Sequence, residues 1–234
     1  MDTRFWGPDG WKLLHSIAYN YPSHPSKNMK RVYKSFFATL PYILPCVYCR
    51  NSLVRFYSEL PIDTFLDSNK DLFRWLYMIH NKVNLKLRNQ RINKKTDPSL
   101  QSVRKFYKTF VYTVNENNCI NMPGLNFIYS IVFNYPQNKE SLENIRYRKH
   151  RIFFKLLDNV IPFNKFKKIY KQLIENSKLD IILTKRSLLK KWFYDIDRSI
   201  KQKIDIDCYS YKEKCKIIEN YRAGCKKKTC RKKV

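Results

Sequence analysis

The chain has 234 residues, a formal net charge of +28 and 44% hydrophobic residues, enough for one large domain or two small ones with a sizeable core. Only 4 glycines beside 10 prolines, with abundant Lys, Leu, Ile and Tyr, argue against turn-rich β structure and for an all-α fold. No apolar run approaches the roughly 18 residues a membrane span needs.

The opening MDTRFWGPDGW has the features of neither a signal nor a transit peptide, so the expectation is a protein made in the cytosol. The basic residues are spread along the chain, which favours a solvated surface, except at the tail. There the charge suits nucleic acid, anionic membrane or acidic proteins. Seven cysteines are unusual as structural disulfides in a reducing compartment.

The first predicted helix is GPDGWKLLHSIAYNYP, with Pro8 as a first helical residue and Pro22 as a stop. Trp11, Leu14, His15 and Ala18 share one face of it. SKNMKRVYKSFFATLP is a second helix, ending near Pro41. PCVYCRNSLVRFYSELP is a third, opened by Pro45 and closed by Pro61. NKDLFRWLYMIHNKVNLKLR is the fourth and longest, with Phe73, Tyr77, His80 and Asn84 along one side. DPSLQSVRKFYKTF is a short fifth helix starting at an Asp97-Pro98 cap, and NENNCINMPG reads as a loop at a domain boundary.

Beyond that boundary the chain repeats itself. GWKLLHSIAYNYP (10–22) aligns with GLNFIYSIVFNYP (124–136) at six of thirteen positions, where ordinary residue usage gives about one by chance. ILPCVYC (43–49) faces VIPFNKF (160–166), and LFRWLYMIHNKV (72–83) faces LKKWFYDIDRSI (189–200). The apolar positions persist while Trp11 becomes Leu125, His15 Tyr129, Cys46 Phe163, Cys49 Phe166 and His80 Asp197. The expected organisation is therefore residues 1–114, a degenerate second helical bundle over 115–204 stripped of its chemistry, and a basic, cysteine-bearing tail over 205–234 with one short helix.

The chemistry concentrates at Cys46 and Cys49. A CxxC can bind zinc, cycle between dithiol and disulfide, or sit in a core. A cysteine at a helix start is favoured as a thiolate by the free N–H groups and the helix dipole, which suits redox use. Zinc needs a second ligand pair, and no other cysteine is near in sequence, so no metal site is assigned. Trp11 with His15, and His80 with Asn84, are pairs spaced i, i+4 on separate helices. Each alone is ordinary packing. Beside a reactive CxxC they suit a planar cofactor, with an indole to stack and imidazole and amide groups to bond its rim. Without a GxGxxG motif, a dinucleotide would lie within a helical bundle.

WGPDGWKLLHSIAYNYP, PCVYC and HNKVNLKL, in this order and spacing, resemble the Erv/ALR family of FAD-linked sulfhydryl oxidases over residues 5 to about 110. The resemblance implies a four-helix bundle plus a short fifth helix that holds FAD, with the CxxC against the isoalloxazine. Trp6 and Gly7 open the matching pattern. Trp11 and His15 match its first-helix flavin contacts, and His80, Asn81, Val83 and Asn84 its second cluster. The resemblance puts Lys86 near the phosphates and lets Tyr107 stand in for a tryptophan-rich fifth helix. It makes Cys49 the cysteine facing the flavin and Cys46 the one that exchanges with substrate. Pro8 stands where many members carry an arginine, and the later Gly-Lys-Pro and cysteine of the pattern are absent.

The implied activity forms disulfides in protein dithiol substrates and passes the electrons through FAD to O₂, giving hydrogen peroxide. Family members often carry a shuttle cysteine pair on a tail, a role open to Cys208, Cys215, Cys225 and Cys230. Zinc binding or inert thiols are the alternatives there. The second bundle is expected to cover the face that other members bury by homodimerising, with a homodimer through another face still open. Relatives in large DNA viruses point to the host cytoplasm, its viral factories and the virion. The competing reading is a basic protein that binds nucleic acid or virion proteins and uses its CxxC structurally. A pure binder has no use for the ordered Trp/His, CxxC and HNxVN set, and the oxidase reading does not require nucleic acid.

Overall fold

A computed structural model describes residues 1–92, 95–116, 122–203 and 207–221. Its architecture is helical; among the described residues the extended contacts reduce to one isolated bridge between Asn138 and Lys185. The first half holds α1 (Thr3–Tyr19), α2 (Lys27–Phe37), the single turn α3 (Leu40–Ile43), α4 (Val47–Glu59), α5 (Asn69–Asn89) and α6 (Leu100–Glu116). The second holds α7 (Leu125–Asn134), α8 (Asn144–Val160), α9 (Asn164–Glu175), the short α10 (Leu179–Ile182), α11 (Arg186–Gln202) and α12 (Tyr211–Glu219).

Helix starts follow capping chemistry. Ser26 accepts from the Met29 N–H and Ser68 from the Asp71 N–H, each at 3.2 Å, satisfying donors that have no partner inside the helix. The expected start at Pro8 is corrected: α1 begins five residues earlier, because Asp2 caps it by accepting the Arg4 N–H at 2.9 Å. Pro8 then lies inside the helix, where it lacks the N–H that would bond back to the Arg4 carbonyl and its ring crowds that carbonyl. The fifth helix is longer than the sequence pattern indicated, running on to Glu116.

Corresponding positions of the two halves make corresponding hydrogen bonds. The Tyr21 hydroxyl donates to the Leu66 carbonyl at 3.0 Å, and Tyr135 to Leu183 at 2.7 Å. The Trp75 indole N–H donates to the Leu60 carbonyl at 3.0 Å, and Trp192 to the Ser177 hydroxyl at 2.8 Å. Cys46 is the residue that opens α4, and Phe163 opens α9. Phe163 and Phe166, in the cysteine positions, are both buried.

The halves meet through like helices. α1 packs on α7, and α2 and α3 pack on α8, with Trp6 against Phe127 and Phe36 against Phe153. Approach is close: a Cβ on Gly10 would come within 2.9 Å of Phe127, and one on Gly124 within 2.6 Å of Leu13. Gly124 also has φ +97°, a conformation that side chains disfavour. Asp9 of α1 caps α7 from across the interface, accepting the N–H groups of Gly124 at 2.9 Å and Asn126 at 2.8 Å. The chain then returns to its beginning. α12, opened by a Ser210–Glu213 capping box, buries Ile218. Beyond it the Tyr221 carbonyl accepts the Asp2 N–H, and its ring stacks on Phe5 at 3.9 Å.

Candidate active site

Cys46 is the N-cap of α4, and its Sγ accepts the Cys49 N–H at 3.3 Å. Serine or aspartate oxygen usually fills that position. A sulfur aimed at the open N–H groups of a helix start is where a thiolate is favoured over a thiol. Both cysteines are half-buried and pack at the edge of the apolar core. Pro45 fixes the approach: it is buried, and it cannot donate a hydrogen bond that would compete. Among the described residues, no group of three His, Cys, Asp or Glu side chains gathers to hold a metal.

Helical spacing brings the aromatic and imidazole residues together where α1, α5 and α6 meet. Trp11 stacks on His80 with ring centroids 3.8 Å apart and planes 11° from parallel. His15 Nε2 lies 3.1 Å from His80 Nδ1, and the Tyr107 ring stacks on His15 at 5.0 Å. A cleft of about 330 Å³ opens here, lined by His15, His80, Asn81, Asn84, Phe106 and Tyr107. A wider groove of about 570 Å³ continues along α6, sharing Ser102 and Phe106.

Both imidazoles are neutral. Burial holds His15 well below the ordinary histidine range, with His80 adding to the effect. Burial pushes His80 down to about 4 against the opposing pull of Asp97. A neutral pair shares one N–H, so His15 Nδ1 is left as a donor or an acceptor according to the tautomer. That nitrogen is buried and has no partner. Such an atom costs about 1–3 kcal/mol unless something polar meets it. With aromatic walls and the Asn81 and Asn84 amides beside it, the site fits a flat, hydrogen-bonding heterocycle.

A group neutral when folded and protonated when unfolded stabilises the fold fully above its unfolded pKa, and that stability is lost as pH falls toward the folded value. His80 and the buried His150, which burial also holds at about 4, each withdraw about 2 kcal/mol between pH 7 and pH 5. The melting temperature of the protein without added ligand is expected to drop steeply over that interval. In His80→Asn the pH dependence becomes shallower; an identical slope would contradict the neutral assignment.

Trp11, His15, His80, Asn81, Asn84 and Tyr107 thus share one place. Trp6, Gly7, Val83 and Lys86 are not among the residues that line this cleft. Trp6 packs on Phe127 of the second half, its indole nitrogen buried without a partner, and a Cβ on Gly7 would meet nothing within 4 Å. Val83 packs against the core. The buried Lys86 donates to the Ser52 hydroxyl at 2.6 Å and approaches the Tyr48 carbonyl at 3.5 Å. It therefore fastens α5 to the cysteine helix, because its i−3 neighbour Val83 and Ile79 put that face of α5 inward.

Cys208 and Cys215 sit on the second half, Cys215 at the edge of the core beside Tyr211; Cys225 and Cys230 lie outside the described residues. The sequence reading did not include Arg88 or assign Asp97 to the site. Asp97 takes a bidentate pair from Arg88 at 2.9 and 2.8 Å and accepts the Asn84 amide at 2.8 Å. The Arg88 hydrogen bond holds its carboxyl below the usual range. The available signal was Asn84 and Arg88 one turn apart on α5, facing an acid just before a proline.

The second half carries a different cluster at the matching positions. Tyr129 donates to the buried Asp197 at 2.7 Å, and Lys201 donates to the same oxygen at 3.1 Å. The Lys214 ammonium lies 3.7 Å from that oxygen and over the Tyr129 ring.

Fold and site together define an all-helical protein with a helix-capping CxxC and a cleft of aromatic and neutral imidazole groups. The sequence model of the Erv1 / Alr family matches residues 8–110. The mitochondrial FAD-linked sulfhydryl oxidase ERV1 of Saccharomyces cerevisiae is 34% identical over 92 residues, covering 39% of this chain and 48% of the yeast protein. The FAD-linked sulfhydryl oxidase of African swine fever virus (isolate Pig/Kenya/KEN-50/1950) is 33% identical over 92 residues, covering 38% of this chain and 70% of the viral one. Protein 096R of Invertebrate iridescent virus 3 is 30% identical over 96 residues, covering 41% and 65%. The chain belongs to the Erv1 / Alr family. It spans 65% of the iridescent-virus relative and about half of the yeast one, and the similarity ends before the second half begins.

Proposed function

We propose that the protein is an FAD-dependent thiol oxidase that forms disulfides in substrate proteins through Cys46 and Cys49. The observation that carries this is the neutral His15–His80 pair, with its unpartnered buried nitrogen, in an aromatic cleft on the helix that Lys86 fastens to the CxxC helix. The names of the yeast and African swine fever virus relatives agree with it.

Trp11, His15, His80, Asn81, Asn84 and Tyr107 would hold FAD. The aromatic rings exclude water, and the neutral imidazoles present hydrogen bonds without adding charge. When bound, the group supplies a two-electron acceptor for the reduced dithiol and returns to its starting state by reducing O₂ to hydrogen peroxide. In the oxidised protein a substrate thiolate attacks Cys46 Sγ. The Cys46–Cys49 bond breaks, a substrate–Cys46 disulfide forms, and Cys49 leaves as the thiolate. The second substrate thiolate then attacks the mixed disulfide, releasing oxidised substrate and Cys46 as a thiolate favoured by the helix start. Two electrons now reside on the protein dithiol.

Residues 115–204 form a degenerate second copy in this reading, supported by the matched tyrosine and tryptophan hydrogen bonds. Pairing of α1 with α7 and α2 with α8 is the pattern of an isologous two-fold contact, so the second copy would take the place of a partner subunit. Cys208 and Cys215 would serve as a shuttle only if α12 leaves α7. The viral relatives favour a viral protein acting in the host cytoplasm on virion proteins. The test is oxygen uptake by FAD-loaded protein on addition of a dithiol, with peroxide formed one for one. Absence of uptake in flavin-loaded protein would refute the activity.

A further inference from the structure

Two guanidinium groups converge on the segment that leads into Cys46, one from each half of the chain. Arg50 of α4 donates to the Leu44 carbonyl at 2.7 Å, and Arg146 of α8 donates to the Tyr42 carbonyl at 3.1 Å. Lys149, one turn further along α8, lies over the Tyr42 ring at 5.2 Å. Several sheltered cations among the described residues are paired with acids: Arg88 with Asp97, Lys190 with Glu219 and Lys201 with Asp197. Arg50 and Arg146 instead spend N–H groups on neutral carbonyls, and among the described residues neither forms a salt bridge. Both are half-buried, so their charge is poorly hydrated and seeks an anion.

The electrostatic surroundings say which anions are near. Burial and Arg146 disfavour the charge of Arg50, while Cys46, Cys49 and the exposed Glu143 favour it. Arg50 is therefore within reach of the fields of Arg146 and of both sulfurs. A thiolate formed at either cysteine on reduction offsets the Arg50 charge, and in the disulfide form that compensation is gone.

We propose that Arg146, delivered by the second half, and Arg50 form a cationic rim beside the Cys46–Cys49 pair that docks acidic segments flanking the thiols of protein substrates. This rests on the thiol-exchange reading above. The rim attracts most strongly in the disulfide state, when a substrate is wanted. Reduction places thiolate charge beside the same arginines and weakens their hold on the product. The second half thereby has a task at the site despite lacking cysteines in the CxxC positions: Arg146 and Lys149 reach the α3–α4 corner from α8, and α3 packs directly on that helix.

The test uses the full chain in its disulfide form and two dithiol peptides that differ only in flanking Glu or Lys residues. The readout is the rate of Cys46–Cys49 reduction, followed by thiol alkylation and mass spectrometry. At low salt the acidic peptide is expected to react about tenfold faster, and the ratio to approach one near ~1 M salt, where screening acts within about 3 Å. Arg146→Glu brings the low-salt ratio to one or below, while Arg146→Lys keeps most of it. A wild-type ratio near one at low salt overturns the rim, and this measurement stands whether or not Arg146→Glu folds. A ratio unchanged in folded Arg146→Glu overturns it equally. Reduction by neither peptide would instead refute the exchange chemistry itself.

Discussion

Cys49→Ala and Cys46→Ala are each expected to lower dithiol-driven oxygen uptake by on the order of 10³ or more while leaving the fold and flavin binding in place. Each substitution removes one of the two sulfurs that must join and part in every cycle, and no other group in the first helical turn of α4 can replace it. Cys46 also caps α4 through the Cys49 N–H, so Cys46→Ala carries an added stability cost of about 1 kcal/mol. Cys49→Ala does not, because only its backbone N–H makes that contact. Oxygen electrode traces beside thermal melts separate the two effects. Uptake retained within a factor of a few in both variants would remove the CxxC from the chemistry.

Asp197→Ala is expected to destabilise the whole chain by about 3–5 kcal/mol, lowering the melting temperature by roughly 10 °C. The substitution strips the carboxylate from a buried set in which Tyr129 and Lys201 both donate to it and Lys214 lies 3.7 Å away. Two ammonium groups then share an apolar pocket with no counter-charge. Burial already disfavours the charge of Lys214 even with Asp197 beside it. Because α7 packs on α1 across a close contact at Gly10 and Gly124, the loss should appear in one cooperative transition. A separate, lower-temperature transition would show that the halves fold independently. Asp197→Leu combined with Lys201→Met should recover much of the loss, since replacing a buried pair costs less than breaking one.

The helices that carry the site were legible because prolines bound them: Pro22 follows α1, and Pro45 and Pro61 flank α4. Period 3.6 placed Trp11 with His15, and His80 with Asn84, on the correct faces. The HNxVN match pointed Lys86 at the cofactor, but local spacing could not tell that its long side chain turns to Ser52 on a neighbouring helix. Trp6 turns to the second half for a related reason. Its surroundings are set by Phe127, more than a hundred residues away, and only tertiary packing reveals them. Pro8 misled because proline marks helix starts statistically, whereas here the Asp2 cap outweighs it. Arg146 was one basic residue among many in a chain of net charge +28, and its contact with the Tyr42 carbonyl depends on how the two halves dock.

In the proposed activity, dithiol electrons pass from Cys46 and Cys49 to a flavin held in the cleft of His15 and His80. The most direct measurement is an anaerobic titration of the FAD-loaded protein with a dithiol while the visible flavin absorbance is recorded. Bleaching by one dithiol per flavin in the wild type, none in Cys49→Ala, and weakened flavin retention in a His15→Ala, His80→Ala variant are the predicted results. A protein that takes up no flavin, or a bound flavin that bleaches equally well without Cys49, would contradict the account.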